Sequence, residues 1–331
     1  MDLLTLPIEI LVHILSFVDW NELINVKLTN KKFYSIIKKY YNKLQKLKVN
    51  ELFIENGNDE EDDINKIRIT YSIYKNNVYN SRERKIRKFK VFYFDSTSLY
   101  KFTNFLNQID VTYLKLINVS LDKYTKVIKI LSDYYLKPIN VKNVYININN
   151  NQDNTENIED ILQLLNKTQN VEYLALKFNF PFQYISTKLT IPIVKTLKSL
   201  VLHEKKNTSF VNKKMIKYIV KNNPELDDFH FSLNNSLIYP KIIEIIVKEQ
   251  LSRENFDCHH KSIYLSFGVS NFNTHYRLLT YINSGSLPYR NTTVPTSRMD
   301  NDIGVILYSG KLQCTLCKKF DSIKIHERKL Y

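Results

Sequence analysis

Cys314 and Cys317 are separated by Thr-Leu, the spacing at which one tight turn offers two sulfur ligands to a metal ion. His326 is a candidate third ligand, and a fourth would have to come from Cys258, His259 or His260, far away in sequence. The same residues also read as two free thiols in a capping segment, so neither a metal nor a cofactor is expected. Other chemistry fails on spacing. Gly304, Gly310 and Lys311 approximate a phosphate loop, but the spacing is one residue too long and Leu312 stands where Ser or Thr should hold magnesium. Five glycines cannot build G-x-G-x-x-G, no G-x-S-x-G occurs, and both His203-Glu204 and His326-Glu327 lack the second His of a zinc-protease helix. No catalytic residue is assigned, and the chain is not expected to be an enzyme.

The elements that could position such groups must come from 331 residues, 44% of them hydrophobic, which is ample for a core and suggests about two domains. Lys and Arg outnumber Asp and Glu by 48 to 33, a net charge of +15 that favours acidic or polyanionic partners. Three cysteines cannot frame a disulfide scaffold and imply a reducing compartment, cytoplasm or nucleus. No apolar run approaches the ~20 residues that span a bilayer. Ile10 to Val18 has the look of a signal core, but Asp2 and Glu9 precede it where positive charge is required. A soluble intracellular chain is expected.

At the N-terminus Pro7 suits the first position of a helix, and Ile10, Leu11, Ile14, Leu15 and Val18 then form one apolar stripe. Asp19 can cap a second helix with Leu23, Val26 and Leu28. Thr29 or Asn30 can cap a third with Phe33, Ile36, Ile37, Tyr40 and Tyr41. Three helices in about forty residues hide too little surface alone, and Ile8, Val12 and Phe17 lie off the main stripe. Part of this surface therefore awaits a partner.

The string Leu-Pro-x-Glu-Ile-Leu-x-x-Ile-Leu-Ser-Phe, followed by Asp-Trp-x-Glu-Leu-x-x-Val-x-Leu-Thr-Asn-Lys-Lys-Phe-Tyr, resembles an F-box over residues 5 to about 41. The resemblance implies a trihelical module that docks on a Skp-type adaptor, which bridges to a cullin. By position, Leu6, Pro7, Ile10, Leu11, Ile14 and Leu15 would meet the adaptor. Leu23, Val26, Leu28 and Phe33 would shape the module and add to the contact. Asn30 and Lys32 depart from the Cys and Arg common in the family.

Residues 55–63 are acidic and 82–90 basic, which reads as a charged linker. From residue 86 an apolar-x-x-apolar-x-apolar unit recurs: Ile86-Phe89-Val91, Val111-Leu114-Leu116, Val141-Val144-Ile146, Val171-Leu174-Leu176, Leu197-Leu200-Leu202, Leu226-Phe229-Phe231 and His260-Ile263-Leu265. Such spacing predicts a strand in each unit, with helices between at 125–135, 158–166, 215–221 and 242–247. Asn149, Asn179 and Asn234 follow three units, where a side-chain amide can satisfy the backbone as it turns out of the strand. Leu-x-x-Leu-x-Leu-x-x-Asn resembles the leucine-rich repeat. The expected fold is α/β: an F-box at 1–48, a charged linker leading into the solenoid at 49–85, an irregular leucine-rich-repeat-like array of strand plus helix at 86–268, and a C-terminal capping or loop-rich segment at 269–331 with a closing strand near 303–308.

In that geometry the residues between the apolar positions line an exposed sheet face. The candidates for contact with a target are Lys88, Lys90, Tyr113, Lys115, Tyr145, Tyr173, Lys177, His203, His230 and Tyr264, with Ile117 among the outward rows. Their basic end would favour an acidic target segment. The combined expectation is the substrate-recognition subunit of a Skp–cullin–F-box ubiquitin ligase, a eukaryotic, non-catalytic member of the ubiquitin-conjugation pathway. The alternatives are an adaptor-binding protein that works without a cullin, and a basic solenoid that binds nucleic acid.

Overall fold

The computed structural model describes residues 3–56, 66–73, 89–122, 126–135, 138–149, 157–179, 189–205, 208–252, 258, 260–292 and 305–329. The chain divides into two compact units, Met1–Ile117 with Thr125–Asn140, and Asn118–Tyr124 with Val141–Tyr331.

The first unit begins with helices α1 (Ile8–Ser16), α2 (Trp20–Thr29) and α3 (Lys31–Tyr40). Pro7 stands one residue ahead of α1, as its N-cap, and its carbonyl accepts from Leu11 N–H at 3.0 Å. Asn30 caps α3, its side chain accepting from Lys32 N–H at 2.7 Å. Leu11, Val12, Leu15, Leu23, Ile36, Ile37 and Leu44 form one buried cluster, flanked by Leu6, Val18, Trp20, Val26, Phe33 and Tyr40.

Strands β1 (Leu47–Asn56), β2 (Lys66–Ile73) and β3 (Phe89–Asp95) follow as an antiparallel meander. The expected linker at 49–85 therefore holds two strands. Val49, Leu52, Ile54, Ile67 and Ile69 are all buried, an alternation overshadowed in the sequence by the neighbouring charge runs. Of the runs at 55–63 and 82–90, residues 57–63 and 82–88 lie outside the described residues. Helix α4 (Leu99–Gln108) buries Phe102 and Phe105, whose rings stack on Phe94 and Phe92 at 5.7 and 5.8 Å.

The first expected repeat is not a repeat: Phe89 and Val91 are 48% and 50% exposed on the edge strand β3, and Ile86 is not among the described residues. The second is out of register. In β4 (Leu116–Leu121), which crosses from the first unit to the second, Ile117, Val119 and Leu121 point inward. Ile117, expected outward, is buried. Leu116 and Ile117 are adjacent and both apolar, so pattern alone does not choose between them, and a one-residue slip exchanges the two faces. Helix α5 (Val127–Tyr134) ends this unit's helices.

The second unit is mixed α/β. Strands β5 (Asn143–Asn149), β6 (Tyr173–Asn179), β7 (Ser199–Glu204), β8 (Asp228–Ser232) and β9 (Ser262–Val269) run parallel in that order. Helices α6 (Asn157–Lys167), α7 (Lys213–Asn222), α8 (Tyr239–Leu251) and α9 (Phe272–Asn283) follow β5, β7, β8 and β9. Val144, Leu174, Leu200, Phe229 and Leu265 lie in one register row, and Ile146, Leu176, Leu202, Phe231 and Phe267 in the next, all buried. The seventh repeat thus aligns through Leu265 and Phe267, two residues beyond Ile263 and Leu265 as expected. The strand β9 is apolar at both pairs, and only its pairing with β8 selects one.

Strands β10 (Val305–Gln313) and β11 (Phe320–Lys329) form an antiparallel pair, with β11 lying parallel to β9 and β10 outside it. The segment expected as cap or loop therefore contributes an interior strand. No helix among the described residues is long and apolar enough to cross a membrane.

Candidate functional site

Three places bring chemistry-bearing side chains together. The first is the surface of the N-terminal helices. Leu11, Leu15 and Leu23, expected at the docking contact, are buried in the module's own core, Leu11 at 1% exposure. The cause is the packing partners: Ile36, Ile37 and Leu44 arrive from later in the chain and cover that side of the stripe. Pro7, Ile10, Ile14 and Leu28 remain exposed, while Leu6, Val26 and Phe33 are half-buried. The exposed set also includes Ile8 and Phe17, expected off the main stripe, and Ile24. Phe17 is 72% exposed and Leu28 80%, an unfavourable solvation for large apolar groups within so small a module.

The second place is the face of the parallel sheet away from the buried rows. One row reads Asn143, Tyr173, Ser199, Asp228, Tyr264 and Lys324; the next reads Tyr145, Ala175, Val201, His230, Ser266 and His326. A third carries Asn147, Lys177, His203 and Ser232. Aromatic rings bridge the rows: Tyr145 and Tyr173 lie 4.8 Å apart, His230 and Tyr264 5.5 Å, and Tyr264 and His326 4.5 Å.

Charge on this face is held in place. Asp228 takes a contact from His230 Nε2 at 3.0 Å and accepts from Ser199 Oγ at 2.5 Å. Burial alone would raise its carboxyl, but these two hydrogen bonds, together with the electrostatic attraction of His230 and Arg328, hold it below the ordinary value. Burial, then Lys177 and Lys205, push His203 down to about 4, so it is neutral at pH 7. Burial also lowers His326, helped by Lys324, His230 and Arg328, and neither of its ring nitrogens has a hydrogen-bond partner among the described residues.

Of the expected target-contact residues, Tyr145, Tyr173, Lys177, His203, His230 and Tyr264 share this face, Tyr264 opposite Asp228 in register. Lys88 lies outside the described residues. Lys90 sits on the antiparallel strand β3, and Tyr113 and Lys115 in the turn before β4, with Lys48 Nζ 5.0 Å from the Tyr113 ring centre. These three belong to the first unit and not to the rows above, so the expected basic end is not part of them. Lys324 and His326 were missed, because nothing local in sequence places β11 next to β9.

The third place is a cluster. Cys314 and Cys317 meet Cys258 and His260, and their four donor atoms lie within 4.8 Å of one another. His326, the candidate third ligand, is instead on the sheet face against Tyr264.

Residues 3–41 match the family model described as F-box-like. No curated protein and no solved structure matches the chain. The protein thus carries an F-box-like domain over its first three helices, followed by a mixed α/β region.

Proposed function

We propose that this protein is the substrate-recognition subunit of a Skp–cullin–F-box ubiquitin ligase. The observation that carries the reading is the F-box-like domain at 3–41 together with the apolar side chains it leaves in water after closing its own core. Pro7, Ile10, Ile14, Phe17 and Leu28 form the docking set, with Leu6, Val26 and Phe33 behind them. Taking a Leu or Ile side chain fully out of water contributes about 1.5–3 kcal/mol. Several such groups can offset the ~4–15 kcal/mol of lost freedom on association.

The second unit is read as a short, divergent leucine-rich-repeat-like array running from β5 to β9. Support comes from in-register apolar rows and from the return of the chain to a parallel neighbour after each strand. Its outward face, with Tyr145, Tyr173, His230 and Tyr264, would bind the target protein, since aromatic rings with a polar edge make strong contact residues. No residue takes part in ubiquitin transfer. The protein raises the effective concentration of a target lysine near the charged enzyme, in cytoplasm or nucleus.

The test is co-expression with a Skp-type adaptor, affinity purification and mass spectrometry of what stays bound. Adaptor and cullin recovered together support the proposal. Adaptor without cullin would assign the protein to a cullin-free complex, and no adaptor would overturn the reading.

A further inference from the structure

We propose that Cys258, His260, Cys314 and Cys317 form a structural zinc site that clamps the starts of β9 and β11. This inference rests on the second unit alone and is independent of the F-box reading.

The geometry comes from two short segments, 54 residues apart at their nearest ligands in the chain. Cys258 and His260 lie in the loop that leads into β9, and Cys314 and Cys317 in the turn joining β10 to β11. Because β9 and β11 are parallel neighbours, with Ser262 opposite Ser322, both segments arrive at the same end of the sheet. The turn is shaped as a ligand knuckle. Cys314 N–H donates to Lys319 O at 2.8 Å, Lys318 N–H donates to Cys314 O at 3.2 Å, and Lys318 adopts φ 64°, which folds the chain back. The Cys314 sulfur faces the backbone N–H groups of Leu316 and Cys317, donors suited to a sulfur carrying negative charge.

His260 has the orientation of a ligand. Its Nε2 lies 2.8 Å from Cys317 Sγ, while Nδ1 faces Asp321 Oδ2 at 3.4 Å. Asp321 is buried and fixed by Lys261 N–H, which donates to its Oδ1 at 2.7 Å. A carboxylate behind an imidazole sets the tautomer and raises the basicity of the other nitrogen, the arrangement found behind metal-bound histidines.

Three sulfurs and one imidazole nitrogen are a soft tetrahedral set and favour zinc over magnesium or calcium. With Zn–S near 2.3 Å, tetrahedral sulfurs stand about 3.8 Å apart, so a 4.8 Å envelope needs little closure. All three cysteines are free. On binding, each thiol gives up its proton to solvent and donates a sulfur pair to Zn²⁺. His260 donates its Nε2 pair and keeps the Nδ1 proton towards Asp321, so the centre carries one net negative charge. With four protein ligands no position stays open for substrate, and the role is to fix the register of two strands whose pairing closes a long loop.

The experiment uses the full chain, expressed with added zinc and purified without chelator. Elemental analysis should find one zinc per chain, and X-ray absorption a shell of three sulfurs near 2.3 Å and one nitrogen near 2.0–2.1 Å. The Cys314→Ser/Cys317→Ser variant should lose the metal. Should that variant not fold, wild-type protein stripped by chelator and titrated with zinc gives the same answer: one equivalent is taken up, and all three thiols become unreactive towards a thiol reagent. Asp321→Asn should weaken zinc about 10–100-fold, whereas a folded His326→Gln should keep it. The proposal is overturned by wild-type protein without zinc whose thiols react equally before and after zinc addition. A Cys314–Cys317 disulfide, a shell lacking three sulfurs, or loss of zinc from folded His326→Gln overturns it too.

Discussion

Asn234 donates its backbone N–H to Glu204 Oε2 at 3.1 Å, linking the ends of β8 and β7. The other carboxylate oxygen of Glu204 accepts from Phe210 N–H at 2.7 Å and Val211 N–H at 2.8 Å. Asn234 in turn donates its side-chain amide to Lys205 O and Thr208 O. One buried carboxylate therefore satisfies three backbone donors where the chain leaves the sheet. Glu204→Ala should strand those donors and destabilise the second unit by about 2–4 kcal/mol, read as a lower urea midpoint at unchanged slope.

Leu11 and Leu28 make opposite predictions for the N-terminal helices. Leu11→Ala opens a hole in the module's own core and should cost about 2–5 kcal/mol of its stability. Leu28→Asp changes an exposed side chain, and should leave melting within about 0.5 kcal/mol while abolishing adaptor co-purification. Thermal melts run beside pull-downs separate the two. Retention of adaptor by folded Leu28→Asp and Phe17→Asp would remove that surface from the contact.

The lowered His203 pKa makes stability depend on pH with a definite sign. The unfolded chain binds this proton below about 6.5, the folded chain only below about 4. Between those values the unfolded state holds more protons, so stability falls as pH falls from 6.5 to 4 and then levels off. The loss is on the order of 1–3 kcal/mol. His203→Gln should flatten this part of the profile, measured by urea unfolding at a series of pH values. The lowered His326 acts with the same sign and should leave a residual slope.

Gly310 has no room for a side chain. A Cβ there would meet Tyr289 Cβ and Tyr308 Cε1, each at 2.7 Å, and Tyr308 is held by a hydrogen bond to Tyr289 O. Gly310→Ala should cost about 1–3 kcal/mol, seen as a lowered melting temperature with the fold retained.

Local pattern carried much of this architecture, and its failures are physical. The three N-terminal helices were legible because Ile10, Leu11, Ile14 and Leu15 recur at helical spacing over one short stretch. Which of these four faced inward was not legible, since Ile36, Ile37 and Leu44 decide it from outside the helix. Strands β5 to β8 were legible at Val144, Leu174, Leu200 and Phe229, each flanked by alternating residues. Registers slipped where neighbours offered two apolar choices, at Leu116–Ile117 and at Ile263–Leu265–Phe267. The Cys-His cluster was half visible as Cys314 and Cys317. Cys258 and His260 were candidates for one further ligand only, and taking both in place of His326 required knowing that β11 seats against β9, which no local spacing records.

The place of β11 bears on how the protein is made. Residues 320–329 lie between β9 and β10 in the sheet, so the ribosome delivers this inner plank only after both of the strands it joins. Until then β9 has a bare flank and β10 has lost its main neighbour, and the nascent unit must stay open or be shielded. A stop codon shortly before Phe320 would therefore remove a middle piece of the sheet.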